Sequence, residues 1–105
     1  MSHPSRFRWM IYKLHFTALS EKEWRKLDSG IRELFKKRLA ERLKQPRIES
    51  SRLHDLQDCY KIKLRHVGYR LVYQVLDDLI VVKVVAVGKR DKNAVYLAAQ
   101  ARLHH

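Results

Sequence analysis

The segment from Cys59 to Tyr73 constrains the fold of this chain more than any other, because two alternating stretches flank a single glycine, Gly68. Before the glycine, apolar residues alternate with two lysines, and after it they alternate with Arg70 and Gln74. Strict alternation is typical of strands, and two strands this close favour an antiparallel hairpin. The residues expected on its apolar face are Tyr60, Ile62, Leu64, Tyr69, Leu71, Tyr73 and Val75.

The number of residues in the hairpin loop decides which side chains share a face. An even number places Lys61 and Lys63 on the face of Arg70, whereas an odd number would mix the lysines into the apolar face. A two-residue loop would force the valine before the glycine into positive φ, or put the glycine at the wrong turn position. We therefore predict a four-residue loop at 65–68, with Gly68 in the left-handed conformation. The resulting cationic face is the candidate site.

The charge balance indicates a polyanionic partner. The chain has 105 residues, which predicts one domain, and 23 Lys and Arg against 11 Asp and Glu give a formal net charge of +12. Such a surface favours nucleic acid, an anionic membrane or an acidic protein. We expect a basic flexible extension at 1–9 and a single domain at 10–103.

The cellular compartment is indicated by what the sequence lacks. One cysteine excludes an internal disulfide framework and suits a reducing compartment. No apolar run approaches the roughly 18 residues of a membrane span, and residues 1–9 lack the apolar core of a signal peptide. We therefore expect a cytoplasmic protein with no membrane association.

The first half of the chain predicts a strand followed by two helices. Residues 10–16 alternate as a strand does, and Thr17 can cap a short helix to about Leu27, with Ser20 and Glu23 as an alternative capping box. A longer helix is predicted from about Ser29 to Lys44. Its apolar stripe is Ile31, Leu34, Phe35, Leu39 and Leu43, and its basic residues, expected to form a solvated face, are Arg32, Lys36, Lys37, Arg38 and Arg42.

The second half predicts a connector at 45–58, the hairpin, a central strand at 80–87 and a final helix at 91–103. The central strand is a nearly continuous β-branched run. If Asp77 and Asp78 form a two-residue turn, Lys83 shares the face of Arg70. The order β-α-α-β-β-β-α gives an α+β fold, with helices packed on one face of an antiparallel sheet and the other face basic and at least partly open.

Several kinds of site are excluded by the sequence. It has no glycine-rich phosphate loop, no ligand spacing for zinc, no carboxylate pair for magnesium and no elbow for Ser-His-Asp catalysis. We therefore predict neither a metal nor a cofactor. The histidines are expected to be surface or packing residues, and His66 at the hairpin tip is the first alternative base.

A cluster of permanent cations beside a tyrosine remains as the candidate site. Arginine binds phosphate through two N–H groups, and a tyrosine ring can stack on a base. Repulsion between neighbouring cations lowers the pKa of a lysine, which would let it act as a base in metal-free RNA cleavage. A solvated face, a binding module and a nuclease all stay open on this pattern. The catalytic candidates are Lys61, Lys63, Arg70, Arg90 and Tyr96, and the candidates for further RNA contact are Arg65, Lys83 and Lys89.

Five segments of the chain resemble the RelE toxin family, and the resemblance covers roughly residues 10–103. It implies a microbial-ribonuclease-like fold, cleavage of mRNA in the ribosomal A site and contact with ribosomal RNA. It also implies neutralisation by an acidic RelB-type antitoxin, through which alone the toxin would reach operator DNA. The matching segments are Glu23–Leu27, Gln45–Glu49, Asp58–Arg65, Gly68–Val75 and Val87–Arg90.

The resemblance also implies roles for individual residues. Lys61 and Lys63 match the two hairpin lysines of the family, one of which is thought to act as the base. Arg70 matches the arginine that stabilises the transition state. Arg90 matches the residue assigned to protonation of the leaving group, and Tyr96 matches the tyrosine that stacks on the mRNA.

The sequence departs from the family pattern in its basic extension and in a more apolar final helix at 94–100. The alternative hypothesis is a non-catalytic basic module that binds ribosomal RNA or acts as the partner of a DNA-binding repressor.

Overall fold

The computed structural model describes residues 11–104, so the extension predicted at 1–9 lies outside the described residues. None of the helices within 11–104 has the length and apolar composition that a bilayer span requires. The elements in chain order are β1 (Lys13–Phe16), α1 (Ala18–Lys26), α2 (Ser29–Lys44), β2 (Cys59–Leu64), β3 (Tyr69–Leu76), β4 (Val81–Lys89) and α3 (Ala94–Leu103).

The predicted hairpin of β2 and β3 is present with its predicted loop. The strands pair antiparallel with Lys63 opposite Arg70 and Leu64 opposite Tyr69, which leaves four residues in the loop. Gly68 has a φ of 71°, the left-handed conformation that a side chain would disfavour. The lysines therefore share the face of Arg70, as the parity argument predicts.

The α+β class is confirmed, and two features of the sheet differ from the expectation. The strand order is β1-β4-β3-β2, and β1 runs parallel to β4, so the sheet is mixed rather than purely antiparallel. Helices α1 and α2 pack on one face, whereas α3 packs on the other. The cause is β4, which is apolar on both sides and therefore needs cover on both faces.

The larger core lies between the sheet and helices α1 and α2. Phe35 and Leu39 of α2 are fully buried against it, and each large apolar side chain buried in this way contributes about 1.5–3 kcal/mol. Trp24 of α1 packs between Phe16 and Phe35, with ring centroids 5.2 and 6.2 Å away. Leu34, predicted in the stripe, is instead 42% exposed.

Arg42 is the clearest correction to the sequence analysis, which places it on a solvated helix face. It is only 8% exposed, and its guanidinium donates hydrogen bonds to the Tyr73 hydroxyl at 2.8 Å, the Lys61 carbonyl at 3.2 Å and the Ser51 hydroxyl at 3.2 Å. The position follows Phe35 by seven residues and so belongs to the same buried stripe. The guanidinium is tolerated there because each partner is an oxygen acceptor.

The first helix begins where the sequence predicts. Thr17 forms a capping box with Ser20, so the alternative start at Ser20 is not used. The Ser20 hydroxyl also donates to the Val84 carbonyl at 2.7 Å, which attaches the start of α1 to the central strand. Ser20 is fully buried, so this bond gives its hydroxyl the partner that water cannot supply.

The connection between β3 and β4 is longer than predicted. Leu76 and Val81 are the paired strand ends, so four residues rather than two form the turn, and Ile80 adopts a φ of 53° at its end. Both lengths are even, so the face of Lys83 is unchanged: it lies opposite Gln74, on the Arg70 side of the sheet.

Tyr73→Phe is expected to lower the free energy of unfolding by about 1–3 kcal/mol, because burial leaves the former partners of the hydroxyl without replacements. That hydroxyl donates to the Pro46 carbonyl at 2.6 Å and accepts from Arg42 at 2.8 Å. Urea denaturation measures the loss. The matched control is Tyr69→Phe, on the same strand and the same face, because the Tyr69 side chain is only half-buried. Equal midpoints for the two variants would contradict the prediction.

Candidate functional site

The hairpin brings three of the predicted catalytic residues onto one face of the sheet. Lys63 lies directly opposite Arg70, and Lys61 lies opposite Val72 on the same face. The backbone N–H of Arg90 donates to the carbonyl of Gly68 at 2.7 Å, which holds the residue after β4 against the hairpin loop. A small cleft at this corner is lined by Lys63, Leu64, Arg65, Gly68, Tyr69, Arg70 and Arg90.

The charges around Lys63 lower its pKa below the ordinary lysine value. The largest cause is the neighbouring ammonium of Lys61, followed by partial desolvation and then by Arg70, Arg65 and Arg90. Each nearby cation disfavours protonation of the amine. Lys63 therefore loses its proton more readily than an isolated lysine does.

Tyr96 comes from the opposite side of the site, on α3. The guanidinium of Arg70 lies over its ring, with 5.3 Å from Cζ to the ring centroid, which is cation–π geometry. Its phenolic oxygen is buried and makes no hydrogen bond with another described residue. Burial raises the pKa of Tyr96, with Arg70 opposing the shift, so the hydroxyl stays protonated at neutral pH. A base that stacks on the covered face of the ring must displace the guanidinium.

The three further cations predicted to contact RNA lie at different distances from this centre. Arg65 is exposed in the hairpin loop and acts on the pKa of Lys63. Lys89 is exposed at the end of β4, opposite Tyr69 and thus on the other face. Lys83 lies opposite Gln74, which is four residues along β3 from Arg70, or about 13 Å. The structure therefore brings Arg65 into the centre and leaves Lys83 and Lys89 at its margins.

An open groove of about 660 Å³ runs along the outer strand β2, between it and α2. Arg38 donates to the carbonyl of Lys63 at 3.4 Å, and Arg42, one helical turn later, donates to the carbonyl of Lys61. The sequence analysis missed this arrangement, although the four-residue spacing of the arginines matches the buried stripe of α2. The groove is lined by Leu34, Lys37, Arg38, Arg42, Ser50, Ser51, Lys61, Lys63, Leu64, Arg65, His66 and Val67.

The other candidate groups of the sequence do not form a metal site or a thiolate nucleophile. Within residues 11–104, no three His, Cys, Asp or Glu side chains converge as metal ligands would. Burial raises the pKa of the Cys59 thiol to about 12, so it is not an available nucleophile. His66 is exposed at the hairpin tip, where it borders the groove.

The protein is an α+β domain with a cationic sheet face, and its sequence matches a known family. The family model described as the ParE toxin of the type II toxin–antitoxin system parDE matches residues 14–94. The chain belongs to this family of toxins.

The particular relatives are RelE proteins. The mRNA interferase toxin RelE of Escherichia coli strain K12 is 54% identical over 94 residues, which are 90% of this chain and 99% of that protein. The mRNA interferase RelE of Shigella flexneri gives the same values. The resemblance to the RelE family predicted from the sequence is confirmed.

Solved structures agree with this assignment. A free-state structure of an E. coli RelE mutant matches with a TM-score of 0.83 and 53% identity, covering 90% of this chain and 99% of that one. The toxin–antitoxin complex RelBE from E. coli matches with a TM-score of 0.74 and 56% identity, covering 77% of this chain and 99% of the matched chain. The fold is therefore that of RelE.

Lys61→Gln is expected to raise the pKa of Lys63 toward the ordinary lysine value, because it removes the largest of the charges that lower it. The measurement is an NMR titration of the lysine side chains in the two proteins. The control is Lys83→Gln. It removes a cation from the same face, but one that is not among the charges that lower the pKa of Lys63. A titration of Lys63 that is identical in wild type and Lys61→Gln would show that the cluster does not set its pKa.

Proposed function

We propose that this protein is a ribosome-dependent mRNA interferase, a metal-independent endoribonuclease that cleaves mRNA in the ribosomal A site. The observation that carries the proposal is the pairing of Lys63, whose pKa is lowered by surrounding cations, with Arg70 directly across the hairpin. A potential base thus lies next to a fixed binder of phosphate charge. The relatives named as mRNA interferases support the same activity.

In the proposed reaction, a neutral lysine of the hairpin removes the proton from a ribose 2′-hydroxyl. The 2′-oxygen attacks the adjacent phosphorus, and the bond to the 5′-oxygen of the next nucleotide breaks, which leaves a 2′,3′-cyclic phosphate. We assign the base to Lys63 rather than Lys61, because the cluster lowers the pKa of Lys63. The leaving 5′-oxygen takes a proton from the guanidinium of Arg90, which is then reprotonated from solvent, and Lys63 releases its extra proton to solvent.

Arg70 stabilises the negative charge that develops on the phosphorane. Its guanidinium presents parallel N–H donors that match two phosphate oxygens, and it remains protonated at every physiological pH. Preorganised charge of this kind is usually a large contribution to catalysis. The cationic cluster thereby supplies electrostatic stabilisation without a metal ion.

Tyr96 orients the RNA by stacking on a base next to the scissile bond. In the free protein, the ring and the guanidinium of Arg70 cover each other at 5.3 Å. Binding of RNA replaces this contact by two others, because the base stacks on the Tyr96 ring and the phosphate binds the Arg70 guanidinium. Stacking of a base on an aromatic side chain is worth about 1–3 kcal/mol, which can offset the lost cation–π contact.

The charge of the whole surface supports the proposed partners. A net charge of +12 suits ribosomal RNA, to which we assign contacts from Arg65, Lys83 and Lys89, and it also suits an acidic antitoxin. The E. coli RelBE complex supports a RelB-type antitoxin, through which alone this toxin would reach operator DNA. A cytoplasmic location follows from the ribosomal substrate.

Arg70→Ala is expected to slow cleavage at least about a hundredfold, the equivalent of about 3 kcal/mol of lost transition-state stabilisation. The side chain lies on the partly open face, so the fold should remain intact. The measurement is single-turnover cleavage of mRNA on programmed ribosomes. Arg25→Ala, at an exposed ion pair on α1, is the matched control and should cleave normally. A rate for Arg70→Ala within tenfold of wild type would remove Arg70 from the proposed mechanism.

Free RNA is expected to be a very poor substrate compared with mRNA on ribosomes. A lysine base and an arginine near the leaving group are weaker catalysts than groups whose pKa lies near the working pH. Much of the acceleration must therefore come from holding the 2′-oxygen in line with the phosphate, which a flexible single strand does not do.

This second expectation is tested with one mRNA, free and on ribosomes with an empty A site, at equal protein concentration. Comparable single-turnover rates would indicate a free-standing ribonuclease, with His66 as the first base to test. Absence of cleavage on both substrates, with intact binding to ribosomal RNA, would favour the non-catalytic module instead.

A further inference from the structure

A partly buried ion pair joins the first and last helices of the protein across the central strand. Arg102 of α3 donates to both carboxylate oxygens of Glu23 on α1, at 2.9 and 2.8 Å. The two side chains are only 21% and 31% exposed. The same carboxylate accepts a hydrogen bond from the backbone N–H of Val87 at 3.2 Å, and the same guanidinium donates to the carbonyl of Val85 at 2.8 Å. The pair is thus anchored to β4 at both ends.

The β4 backbone near this pair is irregular. Tyr73 of β3 lies opposite Val84 and Val72 lies opposite Ala86, so Val85 is an extra residue in the ladder. An extra residue of this kind leaves backbone groups without partners in the neighbouring strand. Glu23 and Arg102 bond to backbone groups at Val85 and Val87, which fixes the place where α3 meets the sheet.

The rest of α3 packs on the sheet through few residues. Val95 and Ala99 are the buried residues of the helix, and Tyr96, Ala98 and Leu103 are partly buried against the same core. Its N-cap, Asn93, makes no side-chain capping bond, and both Asn93 and Lys92 have positive φ, at 61° and 48°. A helix with little buried apolar area and an uncapped, strained start depends on interactions at its other end.

We propose that the Glu23–Arg102 pair is a latch that positions Tyr96 for cleavage by fixing the end of α3. Tyr96 lies in the first turn of that helix, and the guanidinium of Arg70 lies over its ring. Release of the latch lets the helix shift, which moves the stacking ring and leaves Arg70 without its resting contact. Glu23 and Arg102 are positioning residues that touch neither RNA nor the reacting atoms. The inference rests on the proposed function for its effect on cleavage, but not for its effect on the helix.

The first test is amide hydrogen exchange in Arg102→Gln. The amides of α3 should exchange about tenfold faster than in wild type, while those of β3 and β4 keep their protection, because only the helix is released. The matched control is Glu21→Gln, which removes an exposed ion pair with Arg25 on the same helix as Glu23 and should change neither region. Unchanged exchange of α3 in Arg102→Gln would overturn the latch whatever the protein cleaves.

The second test is a double-mutant cycle in single-turnover cleavage on programmed ribosomes. Arg102→Gln alone should slow cleavage about tenfold, but it should add less than about twofold in a Tyr96→Ala background, because the latch acts through the tyrosine. Equal losses in both backgrounds would overturn the positioning role. If wild type itself does not cleave, the proposed function fails, and the exchange test alone decides the latch.

A conservative variant keeps the proposal testable if Arg102→Gln does not fold. Arg102→Lys keeps the charge but cannot bond to both carboxylate oxygens and the Val85 carbonyl in the same planar geometry. Its exchange and cleavage should lie between those of wild type and a fully released helix. Wild-type behaviour of Arg102→Lys in both measurements would show that the guanidinium geometry does not hold α3.

Discussion

Two arginines that cross from α2 to the outer strand β2 support the site from behind. Arg38 and Arg42 are one helical turn apart, a rise of about 6 Å, and they bond to the carbonyls of Lys63 and Lys61, which are two strand residues or about 6.6 Å apart. This match of repeats fixes the backbone of the edge strand. These bonds add to the pairing of β2 with β3, which also holds Lys61 and Lys63 on one face, where the charge of Lys61 lowers the pKa of Lys63. The cationic face thus rests on a strand that is bonded from both sides.

The central strand β4 lies between two hydrophobic cores that contribute differently to stability. On the side of α1 and α2, it meets large side chains such as Phe35, Leu39 and Tyr73. On the side of α3, it meets small ones such as Val72, Ala86 and Ala99. Apolar stabilisation scales with buried area, so the first core carries most of the stability and the second leaves its helix easier to displace. The cationic hairpin belongs to the stronger core, whereas Tyr96 belongs to the weaker one.

The sequence predicts those features of this fold that depend on local periodicity and parity. The four-residue loop, the shared face of Lys63 and Arg70, and the full length of α2 follow from alternation, one glycine and helical spacing. The burial of Arg42 does not, because a charge is tolerated in a core only where acceptors from distant elements converge on it, here Tyr73, Lys61 and Ser51. The parallel pairing of β1 and the Glu23–Arg102 pair likewise join opposite ends of the chain, and no local pattern encodes them.

The contact between Arg70 and Tyr96 has a consequence for selectivity in a cell crowded with RNA. If the protein cleaves mRNA as proposed, its net charge of +12 attracts every RNA in the cell and not only the substrate. The Tyr96 ring is already covered by the Arg70 guanidinium. An RNA that does not displace this guanidinium is therefore held only by weak, salt-sensitive attraction to the charged surface. The contact is replaced in full only by an RNA whose base reaches the Tyr96 ring while its phosphate reaches Arg70. Under the proposed function, the resting contact between Arg70 and Tyr96 therefore limits binding to abundant RNA that does not offer both groups at once.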